Sequence, residues 1–133
     1  MKYCLRAICL IMAMVAASLE ASAAFVSGYA DWKKMSEVQK RAYVRGLVDG
    51  MMVVEIGNDS SRANIAGFMD CADQLNLTDE MMAEAISEYY KARPQSWKFP
   101  PYGPFHESIM KGACLDFINS SRRKLGLQPW TSK

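Results

Sequence analysis

Three observations predict an all-α fold for this chain. Apolar residues recur at helical spacing through three long stretches, start and stop signals bracket those stretches, and no run alternates as a half-buried strand does. Three main helices plus one or two short ones are expected, forming one domain over residues 24–133. A leader precedes that domain. Lys2 and Arg6 make a positive n-region, an apolar run of about 13 residues from Ala7 to Leu19 follows, and Ala21-Ser22-Ala23 supplies small side chains for cleavage. The pattern reads as a signal peptide over residues 1–23, cut after Ala23, with Ala24 nearly as good. Glu20 interrupts the run before the roughly 20 apolar residues of a spanning helix, so no membrane partner is expected after cleavage.

Export changes the cysteine count. Cys4 and Cys9 leave with the leader, and Cys71 and Cys114 are then the only thiols. An even pair in an oxidising compartment reads as a disulfide, the alternatives being two buried thiols or an intermolecular bridge. Closing a loop of that length stabilises a fold by about 4 kcal/mol in the chain-entropy picture. Loss of Lys2, Arg6 and Glu20 leaves a net charge of about +1, too balanced for a nucleic-acid partner, which needs a clustered basic face.

The elements follow in order. Phe25 to Met35 is an aromatic lead-in in which Gly28 weakens any helix. Ser36-Glu37-Val38-Gln39 matches a capping box, and Val38, Ala42, Leu47, Met51 and Val54 recur at helical spacing up to a Gly57 cap. Ala42, Gly46 and Gly50 stand four apart as a smooth strip, expected to receive another helix or an aromatic ring, since each helical glycine costs about 0.5–1 kcal/mol without such a reason. Tyr43 and Asp49 read as edge residues. Asn58-Asp59-Ser60-Ser61 is a loop, after which Ser60 or Ser61 caps a short helix running through Phe68 toward Cys71. Thr78 caps the next main helix, whose expected buried face is Met81, Ala85, Ile86, Tyr89 and Tyr90, and Pro94 stops it. Pro94 to Pro104 is a loop stiffened by four prolines. Pro104 then starts a last helix, with Phe105, Ile109, Ala113 and Phe117 every four residues and basic Arg122, Arg123 and Lys124 before a Gly126 cap. Trp130 is expected to fold back.

Catalytic readings fail on residue chemistry. His106 is the only histidine, so a serine or cysteine nucleophile lacks a base, and it reads as a solvated residue of a first helical turn. Carboxylate pairs such as Glu84 and Glu88 are an ordinary solvated helix face. No phosphate-cradling glycine loop occurs, and two distant cysteines lack the close ligand pairs of a zinc site. The mature methionines read as adaptable packing. No enzyme activity, metal or cofactor is expected. Trp97, Phe99 and Tyr102, on the proline-stiffened loop, are the candidate partner-binding residues, either as exposed anchors or as a lid on the core.

Several residues together resemble a known family, the Tai-type immunity proteins that neutralise type VI secretion amidase toxins. They are Tyr43-Val44-Arg45-Gly46-Leu47-Val48-Asp49-Gly50, then Cys71 with Leu75-Asn76-Leu77-Thr78, then Tyr89-Tyr90-Lys91-Ala92-Arg93-Pro94, and finally Cys114. The resemblance spans roughly Ser36 to Cys114 and implies a helical fold similar to that of the acid-stress chaperone HdeA, with one disulfide. It further implies a protein of the Gram-negative periplasm that blocks a peptidoglycan amidase by steric contact. The alternatives are an HdeA-like stress chaperone, or a family member with no toxin partner, and a homodimer is left open.

Overall fold

The computed structural model describes residues 25–54 and 58–131. The leader, both cleavage positions and the Gly57 cap lie outside them. Within them the chain forms α1 (Tyr29–Lys34), α2 (Glu37–Val54), α3 (Asp59–Gln74) and α4 (Asp79–Ala92). A 3-10 turn (Pro94–Ser96), α5 (Tyr102–Phe105), a π-helical segment (His106–Ala113) and α6 (Leu115–Lys124) follow. No strand occurs among the described residues. The fold is all-α.

Local chemistry sets most of the ends. Before α2 the capping box forms in both directions. Gln39 N donates to Ser36 Oγ at 3.3 Å and Ser36 N donates to Gln39 Oε1 at 2.8 Å. Thr78 Oγ1 accepts from Met81 N at 3.2 Å to start α4. Asn58, rather than Ser60 or Ser61, caps α3 by accepting from Ser61 N. That earlier start, with a later stop at Gln74, makes α3 a main helix where a short one is expected from the sequence. Two helices end in paired backbone bonds. Leu127 N reaches Arg122 O and Gly126 N reaches Arg123 O, both at 3.0 Å, with Gly126 at φ 68°. Asn76 does the same after α3 at φ 49°.

Packing runs through two helix pairs, α2 against α4 and α3 against α6, with α5 touching α4 and the π segment touching both α4 and α6. Cys71 on α3 and Cys114, just before α6, have Sγ atoms 2.00 Å apart, at disulfide distance. Around them a core gathers Trp32, Val44, Phe68, Ile86, Tyr90, Phe105 and Ile118, all nearly inaccessible to solvent. The lead-in is therefore part of the core, because Trp32 is buried in a short helix and its Nε1 donates to Ser87 Oγ at 3.0 Å.

Three expectations are corrected. Leu47 and Met51 pack against the core as expected, but Val38 and Ala42 are exposed and Val44 is the fully buried residue among the described side chains of α2. Met82, Ala83, Ile86 and Tyr90 are buried on α4, with Met81 turned outward. The Ala42-Gly46-Gly50 strip is also exposed, and a Cβ added at Gly46 or Gly50 would meet nothing within 4 Å. Close approach falls instead on Gly67 of α3, where a Cβ would lie 2.4 Å from Ile118 Cα of α6.

The C-terminal helix is not continuous. Cys114 N donates to Ile109 O at 2.8 Å, a five-residue step, and Ile118 N returns to the four-residue step with Cys114 O. One residue is thereby added to a turn. Buried positions run Phe105, Ile109, Cys114 and Ile118, while Ala113 is exposed and Phe117 only half-buried. Pro104 is correspondingly inside α5 and buried, not the first residue of a long helix. The tail does fold back: Asn119 and Trp130 exchange hydrogen bonds of 3.0 and 2.7 Å. Arg122 is buried too, contrary to its reading as an end-of-helix surface cation. It donates to Gln128 O, Ser60 Oγ and Asn64 Oδ1 and lies over the Trp130 ring.

Two glycine substitutions separate these environments. Gly67→Ala is expected to destabilise the protein by about 1–3 kcal/mol, because backbone cannot yield to a methyl at that distance. Gly46→Ala, on an open helical face, is expected to stabilise it by about 0.5–1 kcal/mol. Chemical denaturation of the two variants beside the parent checks both signs.

Candidate functional site

Straps on the 94–104 stretch come from elements on either side of it. Pro94 ends α4 because it offers no amide to continue the ladder, and the chain tightens into the 3-10 turn with Ser96 Oγ donating to Arg93 O at 2.6 Å. Trp97 Nε1 donates to Tyr90 O at 2.8 Å and Tyr90 Oη donates to Phe99 O at 2.7 Å. From the lead-in, Tyr29 N donates to Trp97 O at 3.0 Å. A Cβ at Gly28 would stand 2.4 Å from that same carbonyl, so the residue before α1 is glycine for clearance. Tyr29 also places its ring 5.2 Å from Tyr90 and 4.9 Å from Trp97. Burial pushes the Tyr90 hydroxyl well above the usual tyrosine range, with nearby Tyr43 adding to it, so this strap keeps its proton at any working pH.

The aromatics of the stretch are presented, not buried. Trp97, Phe99 and Tyr102 are 47%, 50% and 49% exposed, while Pro101 and Pro104 turn inward and are fully buried. The prolines thus supply the lid, and the aromatics remain at the surface. Phe99 and Tyr102 line one cleft of about 390 Å³ together with Tyr89, Arg93, His106 and Glu107. Trp97 stands outside that cleft, against Tyr29. The three candidate residues therefore share a face, but only two share a hollow.

Sequence reasoning missed the opposite wall. His106 is half-buried, its ring 5.9 Å from Tyr102 and 5.3 Å from Trp130, and it lines a second, more apolar groove of about 380 Å³ as well. That groove runs between Leu47, Met51, Ile65 and Met110. His106 is no ordinary solvated residue of a first turn. Arg93 carries its guanidinium carbon 4.5 Å from the Tyr89 ring centroid, a stacking that the four-residue spacing on α4 signals. Among the described residues, no three His, Cys, Asp or Glu side chains gather as metal ligands would. Such a surface can bind by shape, stacking and charge.

The Glu107 carboxyl is held below its ordinary value of 4.5, first by the Lys111 hydrogen bond at 3.0 Å and then by His106. A lowered carboxyl stabilises the folded chain above pH 4.5 and the contribution is lost as pH falls through the lower value. Solvent screening limits it to a few tenths of a kcal/mol.

Two measurements follow. Tyr90→Phe is expected to cost about 0.5–1.5 kcal/mol in unfolding experiments and to speed amide exchange in the stretch around Phe99. A carboxyl NMR titration is expected to place the Glu107 midpoint below 4.5, moving back toward it in Lys111→Ala.

Comparison of the chain with protein-family models, with curated proteins and with solved structures finds no match.

Proposed function

We propose that this chain is an exported protein-binding inhibitor, acting by steric contact in the Gram-negative periplasm on a cell-wall amidase, as the immunity-type residue pattern implies. One observation carries the reading: three large aromatics stand half-exposed on a stretch strapped by hydrogen bonds from α1 and α4. Interface energy concentrates in such anchors, and a surface ordered before binding loses little conformational entropy when it docks. The Cys71–Cys114 pair at disulfide distance fits an exported protein. No described helix is long and apolar enough to cross a membrane.

A stress-chaperone role of the HdeA kind would need acid to open the helices. The pairs between α2 and α4 that protonation would break, Arg41 with Glu80 and Arg45 with Asp79, are largely exposed. Pairs of that kind contribute about 0–1 kcal/mol each, so this alternative draws less support.

Co-expression with an exported peptidoglycan amidase tests the proposal. The chain is expected to protect cells and to be recovered bound to the enzyme. A Phe99→Ala/Tyr102→Ala double variant with unchanged folding is expected to lose about tenfold or more in affinity per ring. Failure to retain any cell-wall hydrolase from periplasm, with no protection of cells producing one, would sink it.

A further inference from the structure

Six surface cations among the described residues hold a carboxylate, while Lys33, Lys34, Arg93, Lys98, Arg123 and Lys124 hold none. Lys40 pairs with Glu37, Arg41 with Glu80, Arg45 with Asp79, Arg62 with Asp59, Lys91 with Glu88 and Lys111 with Glu107. Among those that hold none, Arg93 and Lys98 bracket the 3-10 turn. Each is poised over a ring instead, Arg93 over Tyr89 at 4.5 Å and Lys98 over Phe99 at 5.3 Å. The end of α4 does not use up the Arg93 guanidinium. Tyr90 O accepts from Trp97 Nε1, and Arg93 O accepts from Ser96 through both its amide and its hydroxyl. Those carbonyls are answered by neighbours, and the planar fork on Tyr89 is left with donors to spend. Glu107 is the one acid lining the cleft, and Lys111 offsets it. The hollow is therefore cationic at one end and aromatic along its wall.

We propose that this cleft is the acceptor site for an acidic side chain of the protein partner, an Asp or Glu with an apolar or aromatic neighbour. The carboxylate takes the Arg93 fork in a charge-assisted, two-pronged hydrogen bond, and the neighbour lies along Phe99 and Tyr102. The inference rests on the reading of this face as a partner surface and adds the chemistry of what docks there. A volume of about 390 Å³ falls within the roughly 300–1,000 Å³ of clefts that enclose a ligand. An anionic bilayer would also attract cations and aromatics, but it is flat, and Phe99 and Tyr102 line a hollow.

Selection of displayed random nonapeptides on the purified protein tests this, with Arg93→Glu selected in parallel. Arg93 is exposed, so the variant keeps its fold, and Arg93→Gln provides a milder second case. Wild-type protein is expected to enrich Asp or Glu beside an aromatic or aliphatic residue, and Arg93→Glu to turn the preference toward Lys or Arg. A synthetic copy of the enriched peptide is expected to bind at least about tenfold more weakly to Arg93→Gln, and to lose as much when its carboxylate becomes an amide. Identical sequences from both proteins, or no enrichment, overturn the proposal. So does Arg93-dependent binding of phosphatidylglycerol vesicles without peptide binding. If an amidase is captured through Phe99 and Tyr102 and Arg93→Glu leaves that capture unchanged, the acidic-site inference falls and the surface reading stands.

Discussion

The five-residue hydrogen bond from Cys114 N to Ile109 O sets the phase of everything after it. With a regular four-residue step, Ala113 would fall where Cys114 now sits, and the half-cystine would point away from Cys71. Ile118 would likewise leave the seam where it packs on Gly67. A π-turn lacks the packing of a regular turn and survives only where the surroundings reward it. Here the reward is double: a covalent link between α3 and α6, and a helix contact so close that only glycine fits beneath it. The link and the contact lie on the same two helices, so each restricts the slippage that would undo the other.

The same segment faces outward at its other end. His106 and Glu107 begin it, and both line the cleft together with Phe99 and Tyr102, the His106 ring 5.9 Å from that of Tyr102. The cleft and the cysteine pair thus lie at opposite ends of one eight-residue segment, which Cys114 directly follows, and the cleft gains a rigid mount. On the opposite wall rigidity comes from hydrogen bonds: Tyr90, Trp97 and Tyr29 fix the backbone between the prolines, while Gly28 clears the way for a carbonyl. A surface held on both sides meets the main requirement of a steric inhibitor, which has no chemistry and must bind through preorganised shape.

How much of this was legible depended on how local each signal was. The Ser36–Gln39 box, the Thr78 cap, the Gly126 stop and the return of Trp130 were readable because residues a few positions apart decide them. Pairing of Cys71 with Cys114 was readable from their number once the leader expected from the sequence is set aside. The buried faces of α2 and α4 were readable in part, at Leu47, Met51, Ala85, Ile86 and Tyr90, but not at Val38 and Met81, because the apolar stripes are wide and neighbouring helices choose among rotations. Glycine was misleading for the same reason: Gly46 and Gly50 carry a pattern, but Gly67 carries the contact, and only the partner helix distinguishes them. The one-residue shift at Cys114 has no composition signal at all. Of the site, the loop aromatics were evident, whereas Arg93 carried no site signal and His106 read as a solvated residue.

Charge shows why a whole-chain quantity conceals a site. The formal net charge is +2 over all 133 residues, a balance that argues against a polyanion as partner. It averages over a surface where six Lys and Arg side chains are spent on intramolecular pairs of small energetic worth and others are not. A cation held over an aromatic ring, with the nearby carbonyls already satisfied, keeps its donors free and has more to gain from an incoming carboxylate than one already paired. Arg93 and Lys98 are in that position beside the three exposed rings. A partner matched to this face therefore gains from apolar contact and charge together, while an apolar surface that lacked the acid would leave the Arg93 guanidinium desolvated and unanswered. Selectivity then arises from the penalty on the wrong partner as much as from attraction to the right one.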